Sequence, residues 1–414
     1  MRGSGAGTRS SEGHQGASRS EALTREAVDR DVAAAVEREL ADVLRGRVRD
    51  AAEIDAVFAR DVAERVADFT LRGGRRIRSL FLWWGLRACG EETIGTGPVL
   101  RIAAGLELIQ TCALVHDDVM DGSPLRRGRP AVHTDFAARY GPLADPVPLA
   151  RHVGAAAPFG TAAAVLVGDL ALAWADDTVA DADLAPEPRR RVREVWQAMR
   201  TEMVAGQYLD LHSQATGSRS AVRAIRAACL KTAMYTVERP LALGAALAGA
   251  DEATVGGLRS AGRCAGIAFQ LRDDLLGVFG DPRRTGKPSG DDIRQGKRTY
   301  LVAVARARAE ADGDTASLAL LDSALGDRGL SEADVDLVRA VLTDTGAKDL
   351  VDAKIDRLVA AGARHLAGVT VDPTARGRLG ALFRAVAGLP DASTLDPDPP
   401  PAGQILTAGW GRDR

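Results

Sequence analysis

Residues 99–121 read VLRIAAGLELIQTCALVHDDVMD. Leu106, Ile109, Ala113 and Leu114 recur at steps close to the helical period, so the run reads as one long apolar helix. It finishes in Asp117, Asp118 and Asp121. On a helix Asp117 and Asp121 stack one turn apart, where like charges repel by roughly 0.2–0.5 kcal/mol. An apolar helix that carries clustered carboxylates at its end suggests a hard divalent cation. Mg²⁺ fits, because it is held by one or two carboxylates together with substrate phosphates. Taken alone, the pattern fits an acidic surface turn equally well.

The same periodicity extends outward in both directions. Val28, Val32, Val36, Leu40 and Val43 mark an early helix, and similar runs cover Val192–Leu211 and Leu350–Leu366. Breakers separate the runs at Gly73-Gly74, Gly122–Pro130, Gly141–Pro148, Pro186–Pro188, Asp281–Gly290 and Gly326–Gly329. Strand-like alternation and fixed-period repeats are not evident. The expected fold is therefore all-α: a single large antiparallel helical bundle over residues 21–390, with a site lined by side chains of facing helices. Residues 1–20 are low-complexity and expected to be a disordered tail, and 391–414 form a Pro-rich tail.

Composition narrows the function. The chain has 414 residues, 46% of them hydrophobic, which is enough to bury a sizeable core. Its 54 basic and 56 acidic residues leave a net charge of −2, which argues against general nucleic-acid binding. Aromatics at 4% disfavour a β-sandwich. Cys89, Cys112, Cys229 and Cys264 form no CxxC pair and read as reduced thiols in a cytoplasmic protein. The N-terminus lacks the apolar core of a signal peptide. The apolar stretch Phe159–Ala175 contains Gly160, Gly168 and Asp169, so it reads as a buried helix and not a membrane span.

Two further motifs carry chemistry. In residues 269–299, FQLRDDLLGVFGDPRRTGKPSGDDIRQGKRT, Asp273 and Asp274 again follow an apolar run and Gln270. Lys287 and Lys297 flank them and are two of only five lysines in an arginine-rich chain, so a compact point charge for a phosphate oxygen is implied. The Gly280–Lys287 spacing is wrong for a nucleotide P-loop, and Pro288 stands where Ser or Thr is needed. In residues 71–81, LRGGRRIRSLF, Arg75, Arg76 and Arg78 crowd a helix start, where their charge opposes the dipole and an anion would relieve it. Arg126-Arg127 beyond the first acidic cluster form a candidate anion clamp, and Lys231-Thr232 could reach a diphosphate.

These pieces, in this order, resemble the trans-isoprenyl diphosphate synthases of the polyprenyl synthetase family, over roughly residues 25–390. The match comprises GGRRIR, Gln110 seven residues before DDVMD, Arg126-Arg127, Lys231-Thr232, FQ before DDLLG, GKPSGDD and GKRT. The resemblance implies a bundle around a central apolar cavity. It implies that Asp117, Asp118, Asp121, Asp273 and Asp274 hold three Mg²⁺ ions on an allylic diphosphate. Arg126, Lys231 and Lys287 would assist, with Thr232 and Gln270 nearby. Arg75, Arg78 and Arg127 would hold isopentenyl diphosphate, supported by Gln110, with Lys297 also binding substrate. The family usually has Lys at position 75. The implied enzyme is a Mg²⁺-dependent, cytoplasmic, homodimeric prenyltransferase that joins isopentenyl diphosphate to a C5, C10 or C15 allylic diphosphate.

Two departures from the family bear on chemistry. The second motif often reads DDxxD, but its fifth position here is Gly277, which removes a carboxylate. Asp281 could contribute through water, although a role in the Gly-Asp-Pro helix stop is the simpler reading. Cys112 and Ala113, about 5.4 Å deeper than Asp117, are small where C15 synthases are often aromatic. That favours a C20 geranylgeranyl product, with farnesyl and longer polyprenyl diphosphates as alternatives. Trp83 and Trp84 either narrow the cavity or simply fill the core. A class I terpene cyclase or a non-catalytic synthase subunit would share the bundle. The cyclase would leave the second basic site unused, and such subunits tend to lose their acidic motifs.

Overall fold

The computed structural model describes residues 23–90, 94–140, 156–281 and 290–390. The expected tails, 1–20 and 391–414, and Lys287 lie outside the described residues. Among the described residues the chain is almost entirely helical, as the periodicity predicted. In chain order the helices begin with α1 (Arg25–Arg30) and α2 (Val32–Ile54). α3 (Ala56–Phe58) runs through a wider π turn, Ala59–Ala63, into α4 (Glu64–Leu71). Next come α5 (Ile77–Ala88), α6 (Thr96–Asp121), α7 (Val132–Tyr140), α8 (Ala156–Ala180) and α9 (Pro186–Ala215). α10 (Ala221–Ala228) continues as a π-helical segment, Cys229–Glu238, into α11 (Arg239–Ala248). α12 (Glu252–Phe279) follows, then the short α13 (Asp291–Arg294). The chain closes with α14 (Tyr300–Asp312), α15 (Thr315–Ala324), α16 (Glu332–Asp344), α17 (Ala347–Ala367) and α18 (Pro373–Val386). Among the described residues, the one strand pairing is a two-residue hairpin ladder of Leu125–Arg126 with Arg129–Pro130.

Local chemistry sets the boundaries. Asp31, Asp251, Thr299 and Asp372 each accept a backbone N–H three residues on and cap the helix they precede. Ser331 and Asp334 form a reciprocal capping box at the start of α16. Gly122, in the left-handed region at φ 61°, stops α6 directly after its acidic motif.

Two apolar cores share α12 as their spine. The larger holds the faces of α2, α5, α6, α8, α9 and α11, and α12 enters it through Leu258, Ala261 and Ala265. The smaller packs α12 (Leu271, Leu275, Val278) against α14 to α17. α6 lies along α8, α5 along α11, and α12 along both α17 and the Cys229–Glu238 segment. This arrangement brings the C-terminal ends of α6 and α12 to the same region of the bundle. Trp83 and Trp84 are 2% and 6% exposed, and Trp83 Nε1 donates to Asp29 at 2.7 Å, which makes them core residues. All four cysteines are free. α6 and α8 are long and apolar enough to cross a membrane by length and composition, but each packs along the other within the bundle. α8 is less enclosed than its sequence suggests, since Phe159 and Leu166 are exposed.

Candidate active site

The first acidic motif occupies the last turn of α6. Negative side chains there face the negative end of the helix dipole, so the motif needs cations to persist. Arg126 supplies one: its Nε donates to Asp118 Oδ1 at 2.9 Å and to Oδ2 at 3.1 Å, and its Nη2 reaches Asp118 and, at 3.3 Å, Asp117. Asp118 is 1% exposed, so this forked bond braces the motif. Arg126 is thereby committed to Asp118, and the expected Arg126-Arg127 clamp is divided between two tasks.

Lys231 approaches Asp117 from the π-helical segment. Its Nζ donates to Asp117 Oδ1 at 3.0 Å and to Asp210 Oδ2 at 3.1 Å. Gly206 of α9 makes the approach possible, because a Cβ there would lie 2.3 Å from the Lys231 backbone nitrogen. The same crossing brings Gln207 Nε2 to 3.4 Å from Asp117 Oδ1. Burial raises the Asp117 pKa, but Lys231, Lys297 and Arg126 outweigh it and hold the carboxylate charged. Asp121 goes the other way, raised by burial and by Asp117.

Lys297 bridges the first motif to Asp292, a carboxylate beside the second. Its Nζ lies 3.5 Å from Asp121 Oδ2 and 3.2 Å from Asp292 Oδ1. Asp292, on α13, packs against Gly277 of α12. On the same helix Gln270 Nε2 donates to Asp274 Oδ1 at 2.7 Å. Burial, followed by the charges of Asp292 and Asp273, pushes the Asp274 carboxyl up to about 8 despite that bond. Asp273 is exposed at the rim. Arg75 lies within its electrostatic reach, although burial dominates and lowers the Arg75 pKa.

The basic turn divides its arginines. Arg76, expected to crowd the helix start with its neighbours, instead adopts φ 50° and turns inward. Its Nη1 donates to Glu107 Oε2 at 3.1 Å and to the Thr70 carbonyl at 3.0 Å. It holds the turn and leaves the site to others. Arg78 Nη2 donates to Thr236 Oγ1 at 2.9 Å, and its guanidinium lies over the Tyr235 ring at 4.3 Å. Arg127 sits at φ 53° with Nη1 donating to the Gly73 carbonyl at 3.0 Å. Burial, then Arg76 and Arg126, lower the Arg127 pKa, so this cationic patch has room for an anion. A cavity of about 600 Å³ opens beside Phe69, Arg126, Arg127 and Arg129.

The donor set fits Mg²⁺. Among the described residues no three His, Cys, Asp or Glu side chains converge to hold a metal ion unaided. That matches a cation completed by phosphate oxygens. Asp121 Oδ1 is buried without a hydrogen-bond partner, an oxygen left for a ligand. Gln110 Oε1 is orphaned in the same way. Thr232 follows Lys231 on the π-helical segment, half-buried. Ala113 is half-buried one turn before Asp117, whereas Cys112 is buried, with Sγ 3.7 Å from His116 Nδ1. Burial pushes its thiol up to about 12. Gln207, Asp210 and Asp292 escaped the sequence reading. The i, i+3 spacing of Gln207 and Asp210 was their only signal, and nothing local marked Asp292 over its neighbour Asp291.

Known proteins resemble this chain in sequence and in fold. Residues 60–340 match the Polyprenyl synthetase family model. The chain is 30% identical over 293 residues to a geranylgeranyl diphosphate synthase of Mycobacterium tuberculosis, covering 70% of this chain and 74% of that one. It is also 30% identical over 285 residues to a geranylfarnesyl diphosphate synthase of Aeropyrum pernix, covering 68% and 79%. A solved geranylgeranyl pyrophosphate synthase of Corynebacterium glutamicum, complexed with isoprenyl diphosphate and magnesium, superposes with a TM-score of 0.78 at 38% identity, covering 85% of this chain and 97% of that one. By this likeness in sequence and fold, the chain belongs to the polyprenyl synthetase family.

Proposed function

We propose that the protein condenses isopentenyl diphosphate with an allylic diphosphate, head to tail and in trans, and releases geranylgeranyl diphosphate and pyrophosphate. The single observation that carries this reading is Lys297, which joins Asp121 of the first motif to Asp292 beside the second. Two carboxylate clusters held this close, each lined with cations, suit one diphosphate bound between them.

Asp117, Asp121, Asp273 and Asp274 would hold three Mg²⁺, with Asp118 keeping Arg126 in place. When bound, Mg²⁺ would stabilise the negative charge building on the departing pyrophosphate. Lys231 already touches Asp117 and would follow the diphosphate oxygens, aided by Lys287. Arg75, Arg127 and Gln110 would hold isopentenyl diphosphate, with Arg78 steadying the wall behind them. The allylic C1 is then attacked by the double bond of isopentenyl diphosphate, and the proton is lost to released pyrophosphate. Burial of the α6 face excludes water from the cation.

Product length follows the residues below Asp117. Ala113 leaves room for a growing chain, which supports C20. The relative named for geranylfarnesyl diphosphate keeps a longer product as the second reading. We read the protein as a cytoplasmic homodimer whose two longest apolar helices are core elements. Incubating it with Mg²⁺, isopentenyl diphosphate and each of the C5, C10 and C15 starters tests the proposal. Mass spectrometry should find the C20 diphosphate, and turnover of a starter without isopentenyl diphosphate would favour a cyclase.

A further inference from the structure

Where α10 meets α14, three guanidinium groups share one carboxylate. Arg306 of α14 is 3% exposed, and its Nη1 donates to Asp322 Oδ1 at 2.7 Å. Arg219, just before α10, reaches both Asp322 oxygens at 3.4 Å. Arg298, just before α14, sits in the field of both arginines. Burial and then the charge of Arg306 lower its pKa, Asp322 opposes them, and Arg219 adds to the fall. The cluster carries more positive charge than Asp322 can neutralise. Two of its donors are also idle: Arg298 Nε and Arg306 Nε are buried and make no hydrogen bond. Leaving a charged donor unmet in the interior is costly. A small pocket lies among these groups, lined by all three arginines together with Ser220 and Thr299. Ser220 Oγ accepts from the Arg223 N–H at 3.4 Å and caps α10, and Thr299 Oγ1 accepts from the Val302 N–H at 3.3 Å and caps α14. Two helices therefore begin at this pocket, each with the positive end of its dipole. The enclosed space is about 10 Å³, room for one oxygen atom.

We propose that this pocket binds an oxyanion of the phosphate class, at a site separate from the diphosphate site of the acidic motifs. One oxygen enters the pocket and accepts from the two idle Nε groups. The others stay at the mouth beside Arg219, whose side chain is 58% exposed and free to follow them. A water molecule would meet the idle donors but leave the excess charge in place, whereas an anion answers both at once. Inorganic phosphate and the pyrophosphate released by the proposed reaction share this chemistry. The location gives the anion a hold on the active site. Arg298 adjoins Lys297, which spans Asp121 and Asp292, and α10 runs on into the segment that carries Lys231. An anion that clamps α10 to α14 steadies both of the elements that present those lysines.

The test is amide hydrogen exchange of the full-length protein without Mg²⁺, in chloride, phosphate or pyrophosphate at matched ionic strength, read in peptides covering residues 220–223 and 299–302. In the wild type, phosphate at about ten times its dissociation constant should slow exchange there roughly tenfold over chloride. Tighter protection by pyrophosphate would name the released product as the ligand, and tighter protection by phosphate the free ion. Arg298→Gln and Arg219→Gln should each remove most of the protection. Neither side chain is fully buried, and unchanged exchange in α6 verifies that both variants fold. Arg127→Gln, which alters the anion patch of the active site, should keep the protection. Equal protection in chloride and phosphate would reduce the pocket to charge screening and overturn the proposal. Protection that survives Arg298→Gln, or disappears in Arg127→Gln, would assign the anion to the active site and overturn it as well. So would the absence of any protection in the wild type.

Discussion

Arg76 and Arg75 are adjacent and chemically identical, yet the structure gives them different work. Arg76 is 3% exposed. It pairs with Glu107 at 3.1 Å, with side chains 2% and 7% exposed, and Ser79 Oγ donates to the other Glu107 oxygen at 2.8 Å. Arg76→Ala leaves Glu107 buried without its cation, which costs about 3–5 kcal/mol. Unfolding entropy near 2.1 cal/mol/K per residue gives a chain of this length roughly 0.9 kcal/mol/K, so the melting temperature should fall by about 3–6 °C. Arg76→Gly should fall less than Arg76→Ala, because glycine adopts φ 50° freely while alanine is strained there by about 1–2 kcal/mol. Arg75→Ala should leave stability within about 0.5 kcal/mol while raising KM for isopentenyl diphosphate. Scanning calorimetry and steady-state kinetics on the three variants decide the matter. Equal loss of melting temperature in Arg75→Ala and Arg76→Ala would refute the division of roles.

Asp117→Ala or Asp273→Ala should lower turnover by orders of magnitude while circular dichroism stays helical; near-normal turnover would remove both from the metal site. Asp274 titrates at about 8 in the folded protein against 3.8 as its ordinary value. Its stabilising contribution is full below the lower value and is lost as pH rises through the higher one. Metal-free protein should therefore melt lower at pH 9 than at pH 7, and Mg²⁺ with pyrophosphate should remove much of that difference by taking the proton's place. Ala113→Phe, on the Asp117 face of α6, should shorten the product. Cys112→Phe, at a buried position one residue off that face, should shorten it less and cost about 1–3 kcal/mol by overpacking; the reverse order would move the cavity floor to Cys112.

The first acidic motif and its helix were legible because both are local. The apolar period, the three carboxylates and the stop at Gly122 lie within one stretch of chain. The rarity of lysine singled out Lys287 and Lys297, and the structure sets Lys297 between Asp121 and Asp292. The same reasoning would have failed for Lys348, which pairs with Asp352, and Lys354, which lies over the Tyr300 ring. Arg76 was misread because helix-start electrostatics do not reveal a left-handed backbone that turns one guanidinium toward Glu107, 31 residues on. Asp210 and Asp292 were illegible for a similar reason. Their partners, Lys231 and Gly277, come near only when α9 crosses the π-helical segment and α13 folds back on α12. Periodicity also overstated the burial of α8, because it records that a face is apolar and not what covers it.

The account turns on the two acidic motifs working as one diphosphate site that consumes isopentenyl diphosphate. Radiolabelled isopentenyl diphosphate, supplied with an allylic starter, should pass into a C20 diphosphate with Mg²⁺ and not after chelation by EDTA. Label that stays in isopentenyl diphosphate with every starter, in a folded and Mg²⁺-replete protein, would contradict it.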